Sequence, residues 1–229
     1  MKCAIMQPYF FPYIGYFQLI SAVDRFVLYD DVNYIKGGWI NRNLILGPVD
    51  PQRITLQLSG ASPNKLINQI GIGNNRRKIL KTIEQTYSKA PYFKTVFPLI
   101  EVCIDSQETN LSSLLCDSIC KICDYLGIQS AIYLSSNIEK DTSQRGSQKV
   151  IDICKILQAD TYINSIGGKA LYDRKNFAYN GLNLYFILTG EVAYNQYAGA
   201  FQPNLSIIDI MMFNSKANIT KLLKVFDLV

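Results

Sequence analysis

Hydrophobic positions along this chain fall into two patterns that alternate from the first residues onward. Residues 2–6 form a short apolar run of the kind a buried strand shows. After the loop 7–12, apolar side chains recur at helical spacing through Ile14, Phe17, Leu19 and Ile20, and residues 25–29 return to a continuous apolar run. Strand, loop, helix and strand within about thirty residues predict a βαβ unit, with parallel strands and a right-handed crossover.

Downstream, Gly37-Gly38, Gly47-Pro48 and Ser59-Gly60 punctuate an irregular stretch with two short strands predicted at 43–46 and 53–58. Helical periodicity at 75–87, 93–104 and 111–126 predicts a helical insertion at about 73–127. A second α/β section follows. It comprises a strand at 130–134, a helix at 143–157, a strand at 161–164, Gly167-Gly168-Lys169 and a strand at 182–188. Helices at 205–213 and 217–226 close the chain. The expected fold is one α/β domain over residues 1–229, Rossmann-like and three-layered, with a mainly parallel sheet and additional helices. On such sheets ligands bind beyond the carboxyl ends of the strands, the edge that holds both the 7–12 loop and Asp30-Asp31.

Composition narrows the chemistry. The chain has 229 residues and no histidine, so a Ser-His-Asp or Cys-His nucleophile, a His general base and a His-built zinc site are all excluded. Its 23 Lys and Arg against 18 Asp and Glu give a mild, dispersed charge of +5, which favours an anionic small molecule over a nucleic-acid groove. No apolar run approaches the length of a membrane span, and the N-terminus lacks a signal-peptide pattern, so a cytoplasmic protein without membrane insertion is expected. Of the six cysteines, Cys116, Cys120 and Cys123 share one helical stripe with Ile119; they read as core packing rather than metal ligands, and no metal residue is assigned.

The first loop and its neighbours carry the strongest functional signals. Gln7-Pro8-Tyr9 through Pro12-Tyr13-Ile14-Gly15-Tyr16 stiffens a strand-to-helix connection with two prolines and admits close approach at Gly15. The layout resembles that of nucleotidylyltransferases and pantothenate-synthetase-like ligases (the HUP type). Their first loop carries His-x-Gly-His where this chain has Tyr13-Ile14-Gly15-Tyr16. Asp30-Asp31 is a carboxylate pair at a strand end, suited to binding a divalent cation, orienting an amine or serving as a general base. Lys36 and Arg42 can neutralise an anion, and Trp39, the only tryptophan, can stack on a sugar or base. Gly167-Gly168-Lys169 can hold a phosphate or serve as a plain turn. Arg145, at the start of a predicted helix, can bind phosphate or belong to a cap. Tyr194-x-Gln196 and Gln202-Pro203-x-Leu-Ser206 have the composition of a sugar-binding wall, with Ser206 alternatively a helix cap.

These runs together resemble the WbqC-like protein family. The likeness rests on Gln7-Pro8, Phe11-Pro12, Gly15-Tyr16-Phe17, Asp30-Asp31, Lys36-Gly37-Gly38-Trp39 and Asn41-Arg42-Asn43. It continues through Ala90-Pro91-Tyr92-Phe93, Gly167-Gly168-Lys169, Tyr172, Tyr194, Gln196 and Phe201 to Asp209, spanning nearly the whole chain. The departure is in the first loop, where many members carry histidine and tryptophan and this chain has Tyr, Phe and Ile. The resemblance implies a setting in bacterial O-antigen or surface polysaccharide biosynthesis. Its leading expectation is an enzyme acting on a nucleotide-linked amino sugar by N-acyl or aminoacyl transfer. Nucleotidyl transfer or ATP-dependent ligation, and non-catalytic sugar-nucleotide binding, are the alternatives.

On that reading Asp30, Asp31 and Lys36 are the catalytic candidates. Gln7, Tyr9, Tyr13, Gly15, Tyr16, Trp39, Arg42, Asn43, Gly168, Lys169, Tyr172 and Gln196 are the candidates for substrate binding. The expected partners are a nucleotide-linked sugar and an acyl or amino-acid donor, with a homodimer open. No tightly bound cofactor is expected, and ATP and magnesium are candidates.

Overall fold

The computed structural model describes residues 1–197 and 199–229. Its strands are β1 (Lys2–Met6), β2 (Arg25–Leu28), β3 (Arg42–Ile45), β4 (Gln52–Thr55), β5 (Leu58–Ser59), β6 (Gly71–Ile72), β7 (Ala131–Leu134), β8 (Thr161–Ser165), β9 (Asn183–Thr189) and β10 (Phe226–Leu228). The helices are α1 (Ile14–Ser21), α2 (Arg76–Tyr87), α3 (Phe93–Ile104), α4 (Leu111–Leu126), α5 (Gly146–Ile156), α6 (Arg174–Tyr179), α7 (Ile207–Phe213) and α8 (Lys216–Leu222).

Six strands form the central sheet in the order β10-β9-β8-β1-β2-β7. All neighbours are parallel except β9 and β10. The chain therefore runs outward from β1 in both directions, first to β2 and β7, then to β8 and β9. This makes the β1–β8 boundary the point where winding reverses, and on open α/β sheets ligand crevices form at the strand carboxyl ends there.

Alternation within the strands assigns the two faces. Cys3 and Ile5 of β1, Val27 of β2, and Tyr162, Leu184 and Phe186 pack with Val150, Ile153 and Cys154 of α5 and with Phe177 of α6. Ala4, Phe26, Leu28, Ile163 and Ile187 face the other way, onto a larger core fed by α1, α3, α4, α7 and α8. A one-residue slip of β2 would exchange Phe26 for Val27 across the sheet, so burial on both faces fixes the register.

The predicted strand pair becomes the antiparallel hairpin β3–β4, a sheet separate from the central one. The insertion contains α2, α3 and α4, with α4 ended by Gly127 in the left-handed region (φ 74°), where a side chain would be strained. The chain end differs from expectation. The helix predicted over 217–226 stops at Leu222, and Phe226–Leu228 instead pairs antiparallel with β9. Among the described residues no helix is long and apolar enough to cross a membrane.

Candidate functional site

Just beyond the carboxyl end of β2, the two acidic residues find partners on opposite sides of the sheet, Asp30 on α4 and Asp31 on α5. Asp30, 1% exposed, faces the larger core, where Ser112 Oγ of α4 (2.9 Å), Ser136 Oγ (2.7 Å) and Ser136 N–H (2.9 Å) donate to it. Those bonds tie β2 to α4 and to the segment after β7. This geometry is that of a structural link with no open approach to substrate.

Asp31 faces the α5 side. Lys140 Nζ at 2.9 Å and Lys149 Nζ at 3.1 Å both reach its Oδ2, and Lys149 also donates to the Asp31 carbonyl at 3.0 Å. Burial pushes the Asp31 carboxyl up, but the neighbouring Ser135 hydroxyl and the two ammonium groups outweigh it, and the net shift is downward. The Lys149 ammonium also lies 4.8 Å from the centroid of the Tyr29 ring. Burial, then the negative charge of Asp31, raises the Tyr29 phenol, which stays protonated and neutral near pH 7.

These groups open onto a cleft of about 680 Å3 whose lining includes Tyr29, Asp31, Thr142, Arg145, Gly146, Ser147, Lys149 and Tyr172. The cleft joins the end of β2 to the start of α5 and to the segment after β8, and so bridges the winding reversal. Gly146, with φ 54°, starts α5, so the unpaired N–H groups and positive dipole end of an 11-residue helix belong to this wall. The Arg145 guanidinium is exposed, bonded to the carbonyls of Thr142 and of Gln144 (2.8 Å), and in no ion pair among the described residues. Lys149 and Arg145 thus outnumber Asp31, the one carboxylate among the described lining residues, and Lys140 pairs with Asp31 from outside the lining. The charge and open N–H groups of such a wall suit an anion, phosphate above all.

The other sequence candidates separate into groups. Tyr172 joins Asp31 in the cleft. Tyr9, Tyr13, Trp39 and Asn43 come together elsewhere, with Pro12 and Asn204, around a second recess of about 330 Å3. Tyr16 and Gly15 are buried parts of α1; the Tyr16 hydroxyl donates to the Gln7 carbonyl at 2.9 Å, and a Cβ on Gly15 would stand 2.4 Å from the Tyr13 ring. Lys36 and Lys169 are exposed and line neither cavity. Arg42 Nε donates to the Gly38 carbonyl at 2.8 Å, and Gly168 packs tightly on Asn164.

Gln196 belongs to a buried network. Its Nε2 donates to Asp209 Oδ2 at 2.7 Å, as does the Tyr194 hydroxyl, while the Tyr87 hydroxyl donates to Asp209 Oδ1 at 2.8 Å. Asp209 is fully buried without a cation, and desolvation raises its pKa despite the three donors. Sequence reasoning gave Arg145 a phosphate role but passed over Tyr29, Lys140 and Lys149. The spacing of Arg145 and Lys149, four residues apart at a helix start, was the available signal.

Comparison with known proteins adds a family to this geometry. The profile of the WbqC-like protein family matches residues 7–221, and the chain belongs to that family. It is 30% identical over 215 residues to uncharacterized protein Rv1507c of Mycobacterium tuberculosis, with 92% of each chain covered. No solved structure matches it.

Proposed function

From membership of the WbqC-like family as premise, we propose that the protein is an enzyme that modifies a nucleotide-linked amino sugar. The reaction is N-acyl or aminoacyl transfer to the sugar amine, in the assembly of bacterial O-antigen or another surface polysaccharide. The observation that carries the reading is the cleft wall in which Lys149, Arg145 and the start of α5 surround a single carboxylate. Nucleotide phosphates fit that wall, with Arg145 and the α5 amides as donors and Tyr29 and Tyr172 as aromatic flanks. Asp31 fixes the position of Lys149. A carboxyl held below its ordinary range is a weak base, so its part in proton removal is secondary to this holding role. The HUP-type layout belongs to the same proposal, since there too the nucleotide sits at the strand carboxyl ends.

The test is thermal shift of the full chain with nucleotide-linked amino sugars, ATP and magnesium, followed by mass spectrometry of the stabilised mixture with acyl and aminoacyl donors. A ligand at 100 times its Kd stabilises by about 2.7 kcal/mol, an easily read shift. The expected result is stabilisation by a nucleotide-linked amino sugar, weakened in Arg145→Ala, and a product heavier by the acyl group. A flat response to every nucleotide-linked sugar would overturn the reading.

One observation favours a second reading, non-catalytic sugar-nucleotide binding. Among the described residues the only carboxylate in the cleft lining is engaged by two lysines, and the chain has no histidine to act as base. Stabilisation by the nucleotide sugar with no mass change under any donor would decide for it.

A further inference from the structure

The recess beside the first loop differs in chemistry from the cleft. Tyr9, Pro12, Tyr13, Trp39, Asn43 and Asn204 line it, three aromatic rings and two amides with no charged side chain. Among the described residues none hydrogen-bonds the Tyr9 or Tyr13 hydroxyl, the Trp39 indole N–H or the Asn204 amide, so all four are available to a ligand.

Its walls are held in place by an uncommon degree of local constraint. Phe11 is 1% exposed and adopts φ 45°, a left-handed conformation that a bulky residue rarely takes. Asn43 Nδ2 (2.6 Å) and Ser206 Oγ (2.8 Å) both donate to its carbonyl, and the Ile207 N–H donates to the Pro12 carbonyl at 2.8 Å. Asn204, on the facing wall, is left-handed as well, with φ 58°. Gly15 supplies the flat seat that the Tyr13 ring needs, since any Cβ there would overlap it. Strain that the surroundings over-determine in this way clusters at ligand-binding sites.

We propose that this recess is a subsite for an uncharged sugar ring, separate from the anion-receiving cleft. A pyranose presents apolar C–H faces that stack on aromatic rings. Its hydroxyl and N-acyl edges call for neutral donors and acceptors, here the two phenols, the indole N–H and Asn204. A phosphate would meet no cation in the lining. The assignment deepens the nucleotide-linked sugar reading and rests on it for the presence of a sugar at this edge of the sheet.

Trp39 is the only tryptophan and is 46% exposed, so its fluorescence reads occupancy of this recess directly. N-acetylglucosamine, glucose and galactose are titrated into the full chain, with uridine and uridine monophosphate, which carry no pyranose, as controls. The expected result is a saturable change in emission with at least one neutral sugar. Its affinity should fall about tenfold or more in Asn204→Ala and in Tyr13→Phe and stay unchanged in Arg145→Ala. Tyr13→Phe removes only the hydroxyl, whereas Asn204→Ala also places alanine at a left-handed φ of 58°, so unfolding curves verify that both variants fold. The proposal is overturned by silence to all neutral sugars, by a response confined to the nucleoside controls, or by full retention of affinity in both recess variants. If a nucleotide-linked sugar stabilises the protein while Trp39 stays silent, this subsite falls and the proposed function stands. If free sugars move Trp39 while no nucleotide-linked sugar stabilises the chain, the reverse holds.

Discussion

Asp31 and Asp209 mark two regions of the molecule that solve one problem in opposite ways. Both carboxyls are withdrawn from water, which favours the neutral acid. At Asp31 the Ser135 hydroxyl and two lysine ammonium groups reverse that preference, and the carboxyl titrates below its ordinary range. At Asp209 three neutral donors, Tyr87, Tyr194 and Gln196, do not, and the carboxyl titrates above it. The deeper burial of Asp209, together with the charged donors at Asp31, decides the sign. The first region is therefore an open electrostatic surface at the cleft, and the second a closed knot that fastens the segment before α7 to the end of α2.

The sharpest way to break this comparison is to delete the knot. Asp209→Ala removes the acceptor of the buried Tyr87 hydroxyl, the Tyr194 hydroxyl and one Gln196 N–H, while Gln196 keeps its bonds to Gln202, and is expected to cost about 3 kcal/mol, read from the urea midpoint. A loss under about 1 kcal/mol would show that the network is not holding the segment. Next in size, Lys149→Met removes the cation shared between Asp31 and the cleft. It is expected to weaken nucleotide-linked sugar binding about tenfold, or about 1.4 kcal/mol by isothermal titration, where Asp209→Asn leaves binding unchanged.

The pH dependence sharpens the same contrast without removing a packed side chain. The raised pKa of Asp209 lends stability that is complete below the ordinary carboxylate range and lost as pH rises through the raised value. The lowered pKa of Asp31 lends stability that is present above that range and lost as pH falls through the lowered value. Asp31→Asn should therefore flatten the acid limb of a melting-temperature profile, and Asp209→Asn the limb above the ordinary carboxylate range. Identical profiles for the two variants would contradict the opposed signs. The smallest effect belongs to Lys169→Ala, an exposed side chain outside both cavities, expected within about 0.5 kcal/mol in stability and without effect on ligand binding.

The sheet was legible where local pattern and global packing agree. The run 2–6, the stripe Ile14, Phe17, Leu19 and Ile20, and the run 25–29 became β1, α1 and β2, because burial against both faces makes the two periods unmistakable. The last strand was hidden, because apolar residues continue at helical spacing through Phe226 while its partner β9 lies about forty residues upstream. The site was legible in composition but not in division. Adjacent acids read as one catalytic pair, yet they point to opposite faces, and Asp30 meets Ser112 82 residues away while Asp31 meets Lys149 118 residues away. Gln7, Gly15, Tyr16 and Gln196 sit close to the chemistry in sequence but serve backbone and core contacts that only the folded chain reveals.

The left-handed turn at Phe11 also sets an order of events in the making of the molecule. One of the two side chains that fasten the loop carrying it, Ser206, lies 195 residues further along the chain. Until that distant serine arrives, Phe11 has only Asn43 to hold a backbone that would rather relax into the extended region. The aromatic recess is thus complete only once the segment carrying Asn204 and Ser206 has docked on the loop that holds its tyrosines, a contact of high sequence separation.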